Sequence, residues 1–302
     1  MRYFVLLFVI AGFTPSYAQF DYYIDKFQFG VLTEVNSSSS FYDRDGETQS
    51  ENYRDVLGKP TKYFYEYREL AFGIYGKYKP IEKLFIYGEI PISYHSMSES
   101  QTRRYENTDP NLPADSISVK MRFDSLSMTR IDHFIAGARY YLLKDEFFLG
   151  LAAEARIPST FNDGVRENPG TDFLSDGAIE LLTGITTGFN LETILLEASL
   201  MHNQRSEDLE NEIQYHFLLG FTKVKNTMIK FDVNYIQSLA EWDNVEPFSP
   251  FKTPRQSDYF KAGFGFHAYF EPYYGFFEYY VGLGGRNQMN MGEFRAGLGV
   301  NL

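Results

Sequence analysis

No cysteine occurs anywhere in the 302 residues. Disulfides, thiolate-held metals and thiol nucleophiles are therefore excluded, and so is anchoring through a lipidated cysteine. Long apolar runs are also missing. The stretch Phe4–Phe13 is too short for a membrane-crossing helix, which needs roughly 20 residues, and nothing later approaches that length. Basic charge is in deficit, with 28 Lys and Arg against 40 Asp and Glu. An acidic chain repels phosphate backbones, so nucleic acid is not an expected partner. Tryptophan is reduced to Trp242 alone.

Against these absences stand 29 Phe and 24 Tyr, in a chain whose mean hydropathy is −0.32. A chain that is polar on average yet rich in aromatics fits a wall with one face in lipid and the other against a wet interior.

The start of the chain has the form of an export signal. Arg2 is followed by the apolar run Phe4–Phe13, the helix breaker Pro15 and the small-residue pattern Ser16-Tyr17-Ala18. Cleavage is predicted after Ala18. Removing residues 1–18, which hold one basic group and no acid, leaves 284 residues with 27 basic and 40 acidic groups, a net charge of −13. Residues 19–302 read as one unit, with no linker and no internal repeat beyond hairpins.

That unit is dominated by period-two alternation, the signature of strands. Phe294, Ala296, Leu298, Val300 and Leu302 oppose Arg295, Gly297, Gly299 and Asn301. Comparable splits run through Glu69–Lys77, Leu84–Ser93, Phe147–Ile157, Ile179–Thr186, Ile213–Thr222, Ile229–Tyr235, Phe260–His267 and Phe277–Arg286. Lys26–Phe41, Asp132–Leu143 and Ile194–Asn203 alternate less cleanly. In the second of these, His133 and Arg139 are assigned inward because Phe134, Ala136, Ala138, Tyr140 and Leu142 make the better lipid face. The total is twelve strands. Ile117–Phe123 also alternates and reads as one of them extended beyond the membrane.

Connections alternate in length. Arg44–Thr61, Glu99–Asp115, Phe161–Asp176 and Glu241–Ser257 are long; Gln204–Asn211 and Arg286–Met291 are intermediate; Pro80–Lys83, Lys144-Asp145, Asn190–Thr193, Lys223–Asn226 and Glu271-Pro272 are short. Short turns on one side and long loops on the other are the pattern of an antiparallel up-and-down outer-membrane β-barrel, with its turns in the periplasm. Trp242 is expected at a loop edge, where an interfacial aromatic belongs. A soluble sandwich or propeller also alternates. Its outer face would be the polar one, however, and here that face repeats Gly with Glu, Lys or Arg, which suits a lumen.

The predicted lumen carries both signs of charge: Glu69, Lys77, Glu89, Arg139, Glu154, Arg156, Glu180, Glu197, Lys230, Asp232, Lys261, Glu278 and Arg295. These residues either line an ion- or solute-selective pore, or pair across strands and fill a narrow barrel. Eight strands are filled by side chains and sixteen leave a channel, so twelve falls between. Strand number and the many luminal glycines favour the open form. Glu154 and Arg156 share a face, with Glu180 expected within reach on the next strand. No catalytic constellation emerges: His95 and His133 could lie near each other on adjacent strands, with Ser93 and Ser96 close to the first, but no motif ties a third residue to a Ser and a His. The five His are scattered, so no metal site is expected. The acidic stretches Asp43–Asp55 and Asp163–Asp176 do not match calcium-loop spacing.

Several short motifs carry a resemblance. Gly73-Ile74-Tyr75-Gly76 followed by a turn and Leu84–Ile92, Arg156-Ile157-Pro158-Ser159, and Gly284-Gly285-Arg286-Asn287 with Gly292 and Gly297-Leu298-Gly299 resemble an outer-membrane β-barrel family named for the meta-pathway of phenol degradation. The resemblance spans roughly Gly73 to Leu302. The chain departs from the family at Ser159-Thr160, where a Gly is expected, and at Leu302, where an aromatic is expected. The resemblance implies a barrel that takes up small, often hydrophobic compounds, and it supplies no catalytic residue.

The sequence thus predicts a passive channel in the outer membrane of a Gram-negative-type bacterium. Its expected partners are outer-membrane lipid, the barrel-assembly machinery acting through the C-terminal strand, and a small-molecule solute. No cofactor and no enzymatic chemistry are expected. The alternative is a structural or surface-interaction barrel with a closed, charge-paired lumen.

Overall fold

The computed structural model describes residues 26–42, 45–46, 48–49, 53–54, 60–105, 117–122, 126–131, 133–159, 178–191, 193–206, 209–222, 226–240, 257–286 and 288–302. The predicted export signal, Trp242 and most of the two acidic stretches lie outside these residues.

Alternating side chains place one face of each segment in an apolar medium, and the backbone resolves into twelve antiparallel barrel strands. They are β1 (Phe27–Tyr42), β2 (Pro60–Ile81), β3 (Leu84–Tyr105), β4 in three pieces (Ile117–Arg122, Leu126–Ile131 and His133–Lys144), β5 (Phe147–Pro158), β6 (Glu180–Asn190), β7 (Ile194–Arg205), β8 (Glu212–Phe221), β9 (Thr227–Ser238), β10 (Asp258–Phe270), β11 (Tyr273–Arg286) and β12 (Gln288–Asn301). All three pieces of β4 pair with β3. Each strand pairs with its neighbours in sequence, and β1 pairs with β12 from Gln28↔Asn301 to Tyr42↔Gln288, closing the sheet. Phe27 N–H donates to Leu302 O at 2.9 Å and Leu302 N–H to Phe27 O at 2.7 Å, completing the seam. Closure removes every edge in the spanning region, which lipid requires because it offers backbone groups no partner.

The short connections, such as Glu82-Lys83, Asp145-Glu146 and Glu271-Pro272, gather at one end of the barrel. Two loop expectations are corrected. Pro60–Arg68 and Glu99–Tyr105 were expected within or beside long loops but are strand, paired from Thr61↔Arg103 downward. At 22 residues each, β2 and β3 would extend about 70 Å, far beyond a hydrocarbon core of about 30 Å. A strand outside lipid needs no apolar face, so its sequence can turn polar while the ladder continues. The second correction is Arg286–Met291, which shrinks to a tight connection because β11 ends at Arg286 and β12 begins at Gln288.

Burial is inside-out. Forty-three large apolar side chains are exposed, among them Phe72 at 54% and Leu298 at 69%, whereas Arg156, Lys230 and Glu180 have no exposure at all. A water-soluble monomer rarely shows contiguous apolar patches beyond a few hundred Å². This surface is instead a continuous apolar band around every strand. Such a barrel should be heat-modifiable: unboiled protein in detergent should migrate faster on a gel than boiled protein. Identical migration, together with solubility without detergent, would contradict a lipid-facing band.

Candidate lumen site

All thirteen residues assigned to the lumen are 5% exposed or less and point into the barrel. Strand register brings them into three groups. On β5–β8, Arg156 Nε donates to Glu154 Oε1 at 2.6 Å and Nη1 to Glu180 Oε2 at 3.1 Å. Glu180 stands directly opposite Arg205, which is ion-paired to Glu212, and Asn203 Nδ2 donates to Glu212 Oε2 at 3.4 Å.

The second group runs from β8 to β1. Lys230 Nζ bridges Asp232 at 2.8 Å and Glu278 at 2.6 Å. His216 Nε2 lies 3.0 Å from Asp232, and His267 Nε2 lies 3.0 Å from Glu278. Arg295 reaches Glu34 at 3.3 Å and Glu278 at 3.5 Å, and Lys261 reaches Glu293 at 2.7 Å. The third group, Glu69, Lys77, Glu89 and Arg139, lines β2–β4. There Asn36 Nδ2 donates to Glu69 at 3.4 Å and Arg139 Nη1 to Tyr141 Oη at 3.4 Å. Glu197 accepts from Thr186 at 3.2 Å and Ser199 at 3.4 Å.

The luminal glycines do not widen a pore. Six of them face an aromatic directly across the ladder: Gly30–Tyr75, Gly137–Tyr87, Gly188–Phe148, Gly263–Tyr280, Gly297–Phe276 and Gly299–Tyr274. A methyl group at any of the six would come within 2.7 Å of that ring. The glycine leaves a floor on which the neighbour's ring lies, and three strands are thereby stapled. Tyr87 on β3 crosses Gly137 on β4 and donates to Glu154 on β5 at 2.8 Å. Tyr280 on β11 crosses Gly263 on β10 and donates to Asp232 on β9 at 3.0 Å. The Lys230–Glu278 pair spans β10 in the same way above Gly265, where a methyl would meet Lys230 at 2.7 Å. Replacing Gly263 with Val should therefore displace Tyr280 and break its bond to Asp232. The expected readout is a lowered unfolding midpoint, with Gly284→Val as control because nothing lies within 4 Å of Gly284.

Two apolar layers bracket the charged belt. Phe85, Tyr141, Phe148, Leu195, Leu218 and Met228 meet toward the short-connection end. Ala178, Leu209, Ile236 and Tyr259 meet toward the other end.

Sequence reasoning missed Glu34, Arg205, Glu212 and Glu293. Glu293 shares the face of Arg295 two residues on, a signal that was present. Arg205 lies inside the stretch Gln204–Asn211 that was expected to be a loop, and Glu212 borders it. Of the residues weighed for catalysis, Ser93 and His133 face inward and are buried, and the side chain of His95 lies outside the described set. Among the described residues, no three His, Asp or Glu side chains converge in a way that could hold a metal.

No protein-family model and no curated protein matches the chain in sequence. Its fold is similar to that of an outer-membrane channel from Pseudomonas putida F1, with a TM-score of 0.60 at 9% identity over 91% of this chain and 95% of that one. It is also similar to the translocator domain of the autotransporter NalP from Neisseria meningitidis, with a TM-score of 0.50 at 10% identity over 94% and 93%. The toluene transporter TodX of P. putida matches at a TM-score of 0.45 and 9% identity over 94% and 92%, too distant to carry an argument. The chain thus has the fold of a bacterial outer-membrane barrel: closed, antiparallel and twelve-stranded.

Proposed function

We propose that this chain is a passive outer-membrane channel for small polar solutes, with its short turns in the periplasm. Outer-membrane lipid contacts the apolar band, and the barrel-assembly machinery reads β12. The observation that carries this reading is a set of eleven buried hydrogen-bonding atoms without a protein partner. They belong to Gln28, Asn36, Tyr75, Arg156, Asn203, Arg205, Gln214 and His216. Each such atom left dry costs about 1–3 kcal/mol, so together they would cost about 11–33 kcal/mol. A folded domain has roughly 5–15 kcal/mol of net stability. Water or solute that reached these atoms would remove that cost, which supports a wet lumen over a dry one. They are spread from Gln28 near the short-connection end to Arg205 near the other, which supports a hydrated route along the lumen.

Polar solutes are favoured over hydrocarbons because the route crosses the charged belt. Among the described residues, eleven buried carboxylates stand against seven buried Lys and Arg, so the wall should prefer cations. Reversal potentials in a salt gradient should show that sign, and an anion preference would contradict it. Proteoliposomes bearing the barrel should release small polar solutes faster than control vesicles; equal release would overturn the reading. The ion pairs and the two apolar layers favour a second reading, a structural barrel closed to solute, which predicts that equal release.

A further inference from the structure

We infer that the inner wall of β5–β8 holds a selection site for small uncharged polyhydroxylated solutes, of monosaccharide size; this rests on the channel reading. The unpartnered groups concentrate there. Arg156 Nη2, Arg205 Nε and Nη2, and Gln214 Nε2 are donors without an acceptor, and Asn203 Oδ1, Gln214 Oε1 and Glu180 Oε1 are acceptors without a donor. The five residues are between 0% and 7% exposed, so their spare groups are held in place rather than waving in bulk solvent. Register makes them contiguous: Glu180 opposes Arg156 on one side and Arg205 on the other, while Asn203 opposes Glu212, two residues from Gln214 on the same face.

Charge then narrows the ligand. Arg156 is already held by Glu154 and Glu180, and Arg205 by Glu212. Three carboxylates against two guanidiniums leave a residual negative charge that opposes an anionic ligand. Four spare donor atoms stand against three spare acceptors, so an ammonium ligand, which can only donate, would leave the donors unmatched. A neutral hydroxyl both accepts and donates, and several hydroxyls on one small frame match a mixed set.

The test is equilibrium dialysis of the full-length, detergent-folded barrel with radiolabelled glucose, competed by gluconate or glucosamine. Saturable glucose binding is expected, with little competition from either charged analogue. Gln214→Leu should weaken it about tenfold or more, because it removes one donor and one acceptor from a site built to bond hydroxyls. Asn203→Leu provides a second variant should the first fail to fold, with heat-shifted migration as the folding check. Absence of saturable binding, as expected of a site for ordered water only, overturns the inference. So does equal competition by gluconate, or unchanged binding in a folded variant. Binding without conductance would remove the channel reading and keep the site; conductance without binding would do the reverse.

Discussion

Arg156→Ala should lower the unfolding free energy of the barrel by about 3 kcal/mol. The guanidinium is fully buried and bonds two carboxylates that are themselves 5% exposed or less. Removing it leaves two buried carboxylates without their shared cation, Glu154 keeping the Tyr87 hydroxyl at 2.8 Å and Glu180 standing opposite Arg205. Breaking a buried pair in this way costs about 3–5 kcal/mol, whereas a solvated pair contributes about 0–1 kcal/mol. The lower end of the buried range applies because the third guanidinium nitrogen, Nη2, has no protein partner and faces the proposed hydrated route. Denaturant unfolding followed by circular dichroism measures the loss. Restoring charge balance with Glu154→Gln and Glu180→Gln in the same chain should recover much of it. A single mutant within about 0.5 kcal/mol of the parent would show that water screens the pair.

Leu298→Arg should cost about 2–4 kcal/mol, the penalty for a cation at mid-membrane on the lipid face of a barrel. Leu298 is 69% exposed on that face. It lies level with Val31, which in turn faces Ile74, the middle of the apolar face from Leu70 to Tyr78. The neighbouring luminal position is not the mild control its facing suggests. A methyl group at Gly299 would meet the Tyr274 ring at 2.4 Å, and that ring is held edge-on by Tyr75 at 6.3 Å. Gly299→Ser should therefore be intermediate, and Gly284→Ser should be neutral. Refolding yield into detergent or vesicles, scored by heat-shifted migration, ranks the three. If Leu298→Arg equals Gly284→Ser, residue 298 does not face lipid.

The facing of the wall was legible because lipid enforces it. A strand with lipid on one side cannot place a charge there, so the two-residue period survives in β12 and β5. The cluster of Glu154, Arg156 and Glu180 followed from the same rule. Two residues apart means one face, and the next strand must present its own inward residue alongside. Legibility failed where that rule stops applying. In Pro60–Arg68 the alternation is of Tyr63, Tyr65 and Tyr67 against Lys62, Phe64, Glu66 and Arg68, a pattern too polar on one face and too mixed on the other to stand out beside a loop. Arg205 and Glu212 sit at strand ends, where the apolar partners that define a face run out. The glycines failed for a different reason. Whether Gly263 opens a lumen or floors a tyrosine depends on which residue stands across the ladder, and register is set by neighbouring strands rather than by the strand itself.

Single-channel recording in a planar bilayer tests the central claim most directly. If the unpartnered atoms from Gln28 to Arg205 line a hydrated route, the purified barrel should give small, discrete conductance steps with a reversal potential favouring cations. Lys230→Met should change both, because it removes a cation that bridges Asp232 and Glu278 in the belt. Correctly folded, heat-modifiable protein that inserts without any conductance step would contradict the account and leave a closed structural barrel.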